Sequence, residues 1–328
     1  MPGPRVSDPG SAIQGQPAGP SHNAEPGAAH VEVCGALSSG AQPNKGSIGR
    51  RSGRAFPLAQ ATGMMVAMSL PDNSSSSPAP AIELRGVTRR FGDQLAVDNL
   101  DLVVEPGQVF GFLGPNGAGK TTTVRMLCGL LRPSAGQLAI HGHDVTAEAD
   151  TVRRLIGLVP DTPPLYEHLT GWQYAAFVAS LYDVPRDQRD ADIERLFAQF
   201  ELDQAAHDLC RGYSFGMRKK LHIAAVLTTR PQVLFLDEPT TGLDPRSARH
   251  LVELISATAQ QGTTVLLTTH LLHLAQQLCP RVGILARGRL LAEGPVDQLL
   301  ARRGDSSLED VFLHLTEEQD EPGPADLA

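Results

Sequence analysis

The stretch Gly114-Pro115-Asn116-Gly117-Ala118-Gly119-Lys120-Thr121-Thr122 constrains this chain more than any other part of it. It fits the pattern G-x-x-x-x-G-K-[ST], with Gly114, Gly119, Lys120 and Thr121 in the fixed places. Such a loop belongs between a buried strand and a helix, and the flanking residues supply both: the apolar run Val109–Leu113 before it and a helix over Thr121–Leu131 after it. Glycines let the backbone curl closely around a phosphate chain, so the N–H groups of Asn116 to Lys120 can point inward. The positive end of the following helix adds to that field. Lys120 would neutralise β- and γ-phosphate oxygens, and the Thr121 hydroxyl would hold Mg²⁺. The expectation is an α/β chain with a parallel sheet that binds a nucleoside triphosphate.

Val233-Leu234-Phe235-Leu236-Asp237-Glu238 is the second strong signal. Its apolar residues predict a fully buried parallel strand, with two carboxylates at the carboxyl end, where open α/β sheets place their ligands. Two adjacent acids there are costly to bury without a cation. The expected division of labour puts Asp237 on a Mg²⁺-bound water and makes Glu238 the base that orients or deprotonates the attacking water.

Residues 1–80 have a different texture from the rest. Gly, Pro, Ser and Ala dominate and no helical or strand period is present, so this part is expected to be a disordered extension. Arg50, Arg51 and Arg54 before a mildly apolar run give it a faint resemblance to an export signal, weakened by Gln60 and Gly63. Alternatively, translation starts at Met64, Met65 or Met68; a peptide from residues 1–50 in a mass spectrum of the mature protein would refute that. The net charge of −8 argues against a protein that wraps nucleic acid. Cys34, Cys128, Cys210 and Cys279 lie far apart and read as reduced thiols. No apolar run reaches the length of about 18 residues that a membrane span requires.

From Ala81 onward the elements follow in order. Ile82–Val87 reads as an edge strand and Leu95–Val104 as its hairpin partner, with Phe91 between them, placed either to stack on a purine or to plug the core. Gln137–Ile140 is a strand, His141-Gly142-His143 a polar turn rather than a metal pair, and Ala147–Ile156 a helix. Residues 172–200 are helical in period, with Phe177, Leu181, Leu196 and Phe200 as apolar anchors, in a mostly helical insertion over about 160–215. Ser214 reads as the N-cap of a helix over Arg218–Thr229, with Gly216 open to close approach. Gly242-Leu243-Asp244 is a turn, Thr263–Thr269 a buried strand ending at His270, and Val282–Leu285 with Leu290–Ala292 a hairpin. His270 could reach a γ-phosphate or serve as a local hydrogen-bonder. Leu308–Leu315 is a short helix, and Glu317–Ala328 an acidic tail expected to be disordered.

Taken together, residues 81–315 resemble the ATP-binding subunit of ABC transporters, most closely the multidrug, polysaccharide and lipid exporter branch. The resemblance rests on the phosphate-binding loop and Val233–Glu238, with Leu169-Thr170-Gly171, Tyr213-Ser214-Phe215-Gly216-Met217 and the ending Ser307–Phe312 pointing to the branch. It implies an ABC ATPase domain over 81–303, with an antiparallel β subdomain and an inserted helical subdomain, followed by a short helix and tail over 304–328. Phe91 would be the adenine-stacking aromatic, Ser214 and Gly216 the signature residues, Asp244 the D-loop acid and His270 the switch histidine. Asp161 stands where the family usually has the Q-loop glutamine and would offer an oxygen to Mg²⁺ or water, while Phe215 and Met217 depart from the usual Leu-Ser-Gly-Gly-Gln.

The resemblance further implies ATP and Mg²⁺ as ligands and a head-to-tail pair of copies. Each loop of that pair would face Ser214 and Gly216 of the other copy, and a separate integral-membrane permease would be the partner. The location implied is the cytoplasmic face of the membrane, with no nucleic acid bound. A soluble non-transport ABC ATPase and a nucleotide-binding regulatory subunit with little turnover are the alternatives; one cassette without an internal repeat speaks against the first, and the presence of Asp237, Glu238 and His270 against the second.

Overall fold

The computed structural model describes residues 79–301 and 305–320. The readings of residues 1–78 (low-complexity extension, export-signal resemblance and late start) therefore lie outside the described residues, as does the end of the acidic tail.

The described part opens with β1 (Ile82–Phe91), β2 (Gln94–Val104) and β3 (Val109–Leu113), then α1 (Lys120–Leu127), β4 (Ala135–Ile140), β5 (His143–Asp144), α2 (Ala149–Leu155) and β6 (Ile156–Val159). The helices α3 (Gly171–Leu181), α4 (Arg186–Phe200) and α5 (Phe215–Leu227) come next. They are followed by β7 (Val233–Asp237), α6 (Pro245–Gln260), β8 (Thr264–Thr269), α7 (Leu272–Leu278), β9 (Arg281–Ala286), β10 (Arg289–Pro295), α8 (Val296–Ala301) and α9 (Leu308–Asp320). Two sheets result. A four-stranded antiparallel sheet runs β2-β1-β4-β5, and a six-stranded sheet runs β10-β9-β3-β8-β7-β6. In the larger sheet β9, β3, β8, β7 and β6 are parallel, and only β10 is antiparallel, at one edge.

Successive side chains of a strand point to opposite faces, and in the parallel sheet both faces are covered. Leu234, Leu236, Val265 and Leu267 join a core built with α3 to α7, whereas Val233, Phe235 and Leu266 join a second core built with α1 and the antiparallel sheet. Burial on both faces explains why β7 reads as an unbroken apolar run rather than an alternating one. Each fully buried Leu or Phe contributes about 1.5–3 kcal/mol.

Several elements differ from the sequence expectation. β1 is an interior strand, paired with β2 on one side and β4 on the other. Ile156 opens strand β6 rather than closing α2, because Ile156–Val159 pair with Val233–Leu236. The helical run over 172–200 is broken at Tyr182–Pro185: proline lacks an N–H and disfavours a helical Val184, and Asp183 takes a left-handed φ of 56°. Leu196 and Phe200 are buried as expected, but Phe177 and Leu181 are 38% and 62% exposed. The buried face of α3 is Tyr174, Ala175 and Ala179. α6 was not expected at all; Asp244 caps it by accepting from the N–H groups of Arg246 and Ser247, with Pro245 opening the first turn. α9 continues to Asp320, so Glu317–Asp320, read as tail, is helical.

His141 and Gly142 both have positive φ, as a tight two-residue hairpin turn requires, and they join β4 to β5. His143 meets Glu148 at 2.8 Å, and no group of three or more His, Cys, Asp or Glu suited to a metal occurs among the described residues. Cys128, Cys210 and Cys279 are free and buried.

The helical segment is tied to the core through His222 of α5. Its Nε2 lies 3.2 Å from the Leu158 carbonyl and carries the proton, so Nδ1 accepts from the Tyr174 hydroxyl at 2.7 Å. The same hydroxyl lies 3.1 Å from the Pro164 carbonyl. Burial pushes the His222 pKa down from 6.5 to about 4. An unfolded chain takes up a proton at His222 near pH 6.5 and the folded chain does not, so this contribution is complete above that pH and is lost as pH falls toward 4. The loss is on the order of 3 kcal/mol. Urea midpoints at pH 7 and pH 5 should therefore separate widely for the wild type and much less for His222→Gln; equal separation in both would assign the acid sensitivity elsewhere.

Candidate nucleotide site

The loop after β3 owes its shape to three left-handed glycines. Gly114, Gly117 and Gly119 have φ of 149°, 82° and 104°. At two of them there is no room for a side chain. A Cβ on Gly114 would lie 2.2 Å from the Leu285 carbonyl oxygen, and one on Gly119 2.6 Å from that of Ala96. These glycines thus serve close packing against β9 and β2 as well as backbone curvature. The Ala118 N–H donates to the Pro115 carbonyl at 3.2 Å, so it is held within the loop rather than aimed at a ligand.

Lys120 opens α1 and is nearly buried. Its Nζ donates to the carbonyls of Gly114 at 2.6 Å and Pro115 at 3.1 Å. Desolvation lowers its pKa, against the pull of Glu238 and Asp237. An ammonium that rests on carbonyl oxygens at the loop's own centre is a cation ready to exchange them for phosphate oxygens.

The parallel pairing of β7 and β8 sets Asp237 opposite Thr268. Asp237, 5% exposed, accepts from the hydroxyls of Thr121 (2.9 Å to Oδ2) and Thr268. Glu238 has left the strand, with φ of 48°, and its N–H donates to the Thr268 carbonyl at 3.0 Å. Its carboxylate meets the Thr269 hydroxyl at 3.2 Å and His270 Nδ1 at 2.9 Å. The two acids are thereby divided: Asp237 faces the loop threonine, and Glu238 faces the end of β8.

Lys120, Thr121, Asp237 and Glu238 line one open cleft of about 550 Å³, bounded also by Phe91, Gln94, Leu95 and Ala96, the rest of the loop from Asn116 to Thr122, Asp161 and Arg287, while Thr268, Thr269 and His270 hold the acids from outside its lining. The volume falls within the roughly 300–1,000 Å³ of small-molecule sites. Phe91 is 44% exposed at its rim, with the Arg89 guanidinium 4.4 Å over the ring. Pro115 borders an adjoining hollow with Arg287 and with Thr316 of α9.

Ser214, Gly216 and Asp244 do not line the cleft. Ser214 caps α5 by accepting from the Met217 N–H at 3.3 Å. Phe215 is 45% exposed and lies against Gly242, where a Cβ would come within 2.4 Å of its ring. Asp244 accepts from Ser247 and sits 3.7 Å from Lys220; the Ser247 hydroxyl is the main cause of its pKa falling to about 2.

Sequence reasoning did not find Thr268, Thr269, Arg287 or Lys219. The two threonines were visible as the hydroxyl-bearing end of an apolar strand, but only the register of β8 against β7 places them on the acids.

A glycine-rich loop at a helix N-terminus, beside two acids at the end of a parallel strand, defines a P-loop nucleoside triphosphatase. The family model described as ABC transporter matches residues 97–241. The daunorubicin resistance ATP-binding protein DrrA3 of Streptomyces coeruleorubidus is 46% identical over 233 residues, 71% of this chain and 73% of that protein. The Nod factor export ATP-binding protein I of Cupriavidus metallidurans is 39% identical over 220 residues, 67% of this chain and 72% of that one. A solved structure described as the ATP binding subunit of an ABC transporter superposes with a TM-score of 0.69 at 29% identity, covering 72% of this chain and 99% of the other. This chain belongs to the ABC transporter family: it is an ATP-binding and ATP-hydrolysing subunit that powers a membrane permease. Among the described residues no helix is long and apolar enough to cross a membrane.

Because a Cβ at Gly119 would collide with the Ala96 carbonyl, Gly119→Ala should displace the loop. Titration with a fluorescent ATP analogue should show affinity reduced at least tenfold, and thermal melting a destabilisation of about 1–3 kcal/mol.

Proposed function

We propose that this subunit binds ATP with Mg²⁺ in the cleft of the Gly114–Thr122 loop, hydrolyses it with Glu238 as base, and drives an exporter whose permease is a separate chain. The observation that carries the catalytic assignment is the separation of the two acids: Asp237 is buried against Thr121, and Glu238 is held at the cleft by Thr269 and His270. Phe91 stacks on the adenine. Lys120 and the backbone N–H groups of the Gly114–Thr122 loop, that of Ala118 excepted, hold the phosphates, with Lys120 exchanging the carbonyls of Gly114 and Pro115 for β- and γ-oxygens. Thr121, Asp237 and Asp161 supply the hard oxygen ligands that Mg²⁺ prefers. When bound, the ion neutralises phosphate charge. Glu238 accepts a proton from the attacking water, and His270, hydrogen-bonded to that carboxylate, orients it and reaches the γ-phosphate.

Ser214, Gly216 and Asp244 lie off the cleft, as groups that serve a second copy would. Two copies, paired head to tail, complete each other's sites. The direction of transport is supported by the relatives named for drug resistance and Nod factor export. The subunit works at the cytoplasmic face of the membrane, where ATP is available, and the helical segment after Asp161 conveys closure to the permease.

Glu238→Gln should cut hydrolysis by about 10²–10⁴ while ATP binding survives, and ATP should convert the variant from monomer to dimer in light scattering. Affinity capture of this variant with ATP from detergent-solubilised cells should recover a polytopic membrane protein. Undiminished turnover would overturn the role of Glu238, and capture of ribosomal or DNA-bound proteins alone would overturn the export reading.

A further inference from the structure

Lys219, in the second turn of α5, is fully buried, with no accessible surface. A buried ammonium is costly unless all three N–H groups are used. Here they are: Nζ donates to the Glu238 carbonyl at 2.6 Å, to the Thr241 carbonyl at 3.1 Å and to Asp161 Oδ1 at 3.3 Å. Its charge is balanced by the one carboxylate in direct contact, that of Asp161, which is itself half-exposed at the cleft. The Phe215 ring lies 5.8 Å from the ammonium and packs against Gly242.

The position of this cation is specific. Glu238 is in a left-handed conformation that a residue with a side chain adopts only when its surroundings hold it there. Its N–H is fixed by Thr268, and its carbonyl by Lys219 and the Thr241 N–H. Three anchors on the peptide groups and two on the carboxylate therefore set where the carboxylate can stand. One of the backbone anchors is shared with Asp161, the residue that leads from β6 into the helical segment.

We propose that Lys219 is a positioning residue for hydrolysis: its ammonium ties the Asp161 carboxylate to the Glu238 backbone, so that the placement of the acid depends on the placement of Asp161. This rests on the reading of Glu238 as the base. It also gives a reason for an aspartate at position 161. An aspartate both neutralises the buried ammonium and follows any movement of the helical segment, whereas a neutral side chain there leaves the charge unbalanced. A misplacement of about 1 Å in a catalytic group can cost on the order of 100-fold in rate, so a tie of this kind acts on turnover rather than on ATP affinity.

The test uses the full chain, with steady-state ATPase rates and titration of a fluorescent ATP analogue. Lys219→Met, which keeps the volume and removes the donors, should lower kcat about 10- to 100-fold while analogue affinity stays within about threefold. Lys219→Gln, which restores N–H donors, should recover part of the lost kcat. Asp161→Asn should lower kcat by a smaller factor, and the Lys219→Met/Asp161→Asn double variant should be no slower than Lys219→Met alone, as expected for two members of one network. Multiplicative losses in the double variant would overturn the proposal, as would a kcat within twofold of wild type or a parallel fall of kcat and affinity. Should Lys219→Met fail to fold, Asp161→Asn carries the test alone, because it leaves the ammonium and its two carbonyl partners in place; unchanged kcat in that variant would overturn the proposal. Glu238→Gln measured alongside separates the two readings. Normal turnover in Glu238→Gln removes the base, whereas its loss together with a normal Lys219→Met removes only the tie.

Discussion

Two adjacent carboxylates at the end of a strand buried on both faces are the constraint to which the rest of the site answers. Left alone, Asp237 and Glu238 would repel each other in a medium that solvates them poorly. The surrounding elements divide and satisfy them. Hydroxyls come from the helix after the phosphate loop (Thr121) and from the neighbouring strand (Thr268, Thr269), and an imidazole from His270. Two buried cations stand close by, Lys120 below the loop and Lys219 behind the Glu238 backbone. These groups come from α1, from β8 and the residue after it, and from α5, so the order β3-β8-β7-β6 of the sheet is what gathers them.

This also explains what could be read from the sequence. The strand–loop–helix around Gly114 and the acid-terminated β7 were legible because each is a contiguous segment whose chemistry and local structure coincide. The partners of the acids were not: Thr268 is 31 residues from Asp237, and Lys219 is 58 residues from Asp161. Nothing in the local pattern of α5 marks Lys219 as buried, since it sits between Arg218 and Lys220 in what reads as a solvated basic run. α6 was missed because Asp244, the cap that precedes Pro245 in the first turn, was read only as the end of a Gly242–Asp244 turn. α3 was assigned the wrong face because Phe177 and Leu181 outweighed Tyr174, whose place is fixed by a hydrogen bond to a histidine in another helix.

Phe215 and Gly242 form a complementary pair. The ring fills the space that a side chain at 242 would need, and a Cβ there would come within 2.4 Å of it. Each residue therefore sets what the other position can hold, and neither can be judged as an isolated departure from a motif. Engineering this subunit toward a commoner signature would then be a two-site problem. Removing the phenyl ring opens a hollow about the size of benzene over the charged end of Lys219, to be filled by water or by a new side chain at 242. Replacing Gly242 first forces the ring outward onto the surface it now only borders. A graft that crosses the boundary between α5 and the loop before α6 separates Phe215 from the glycine its ring is fitted to.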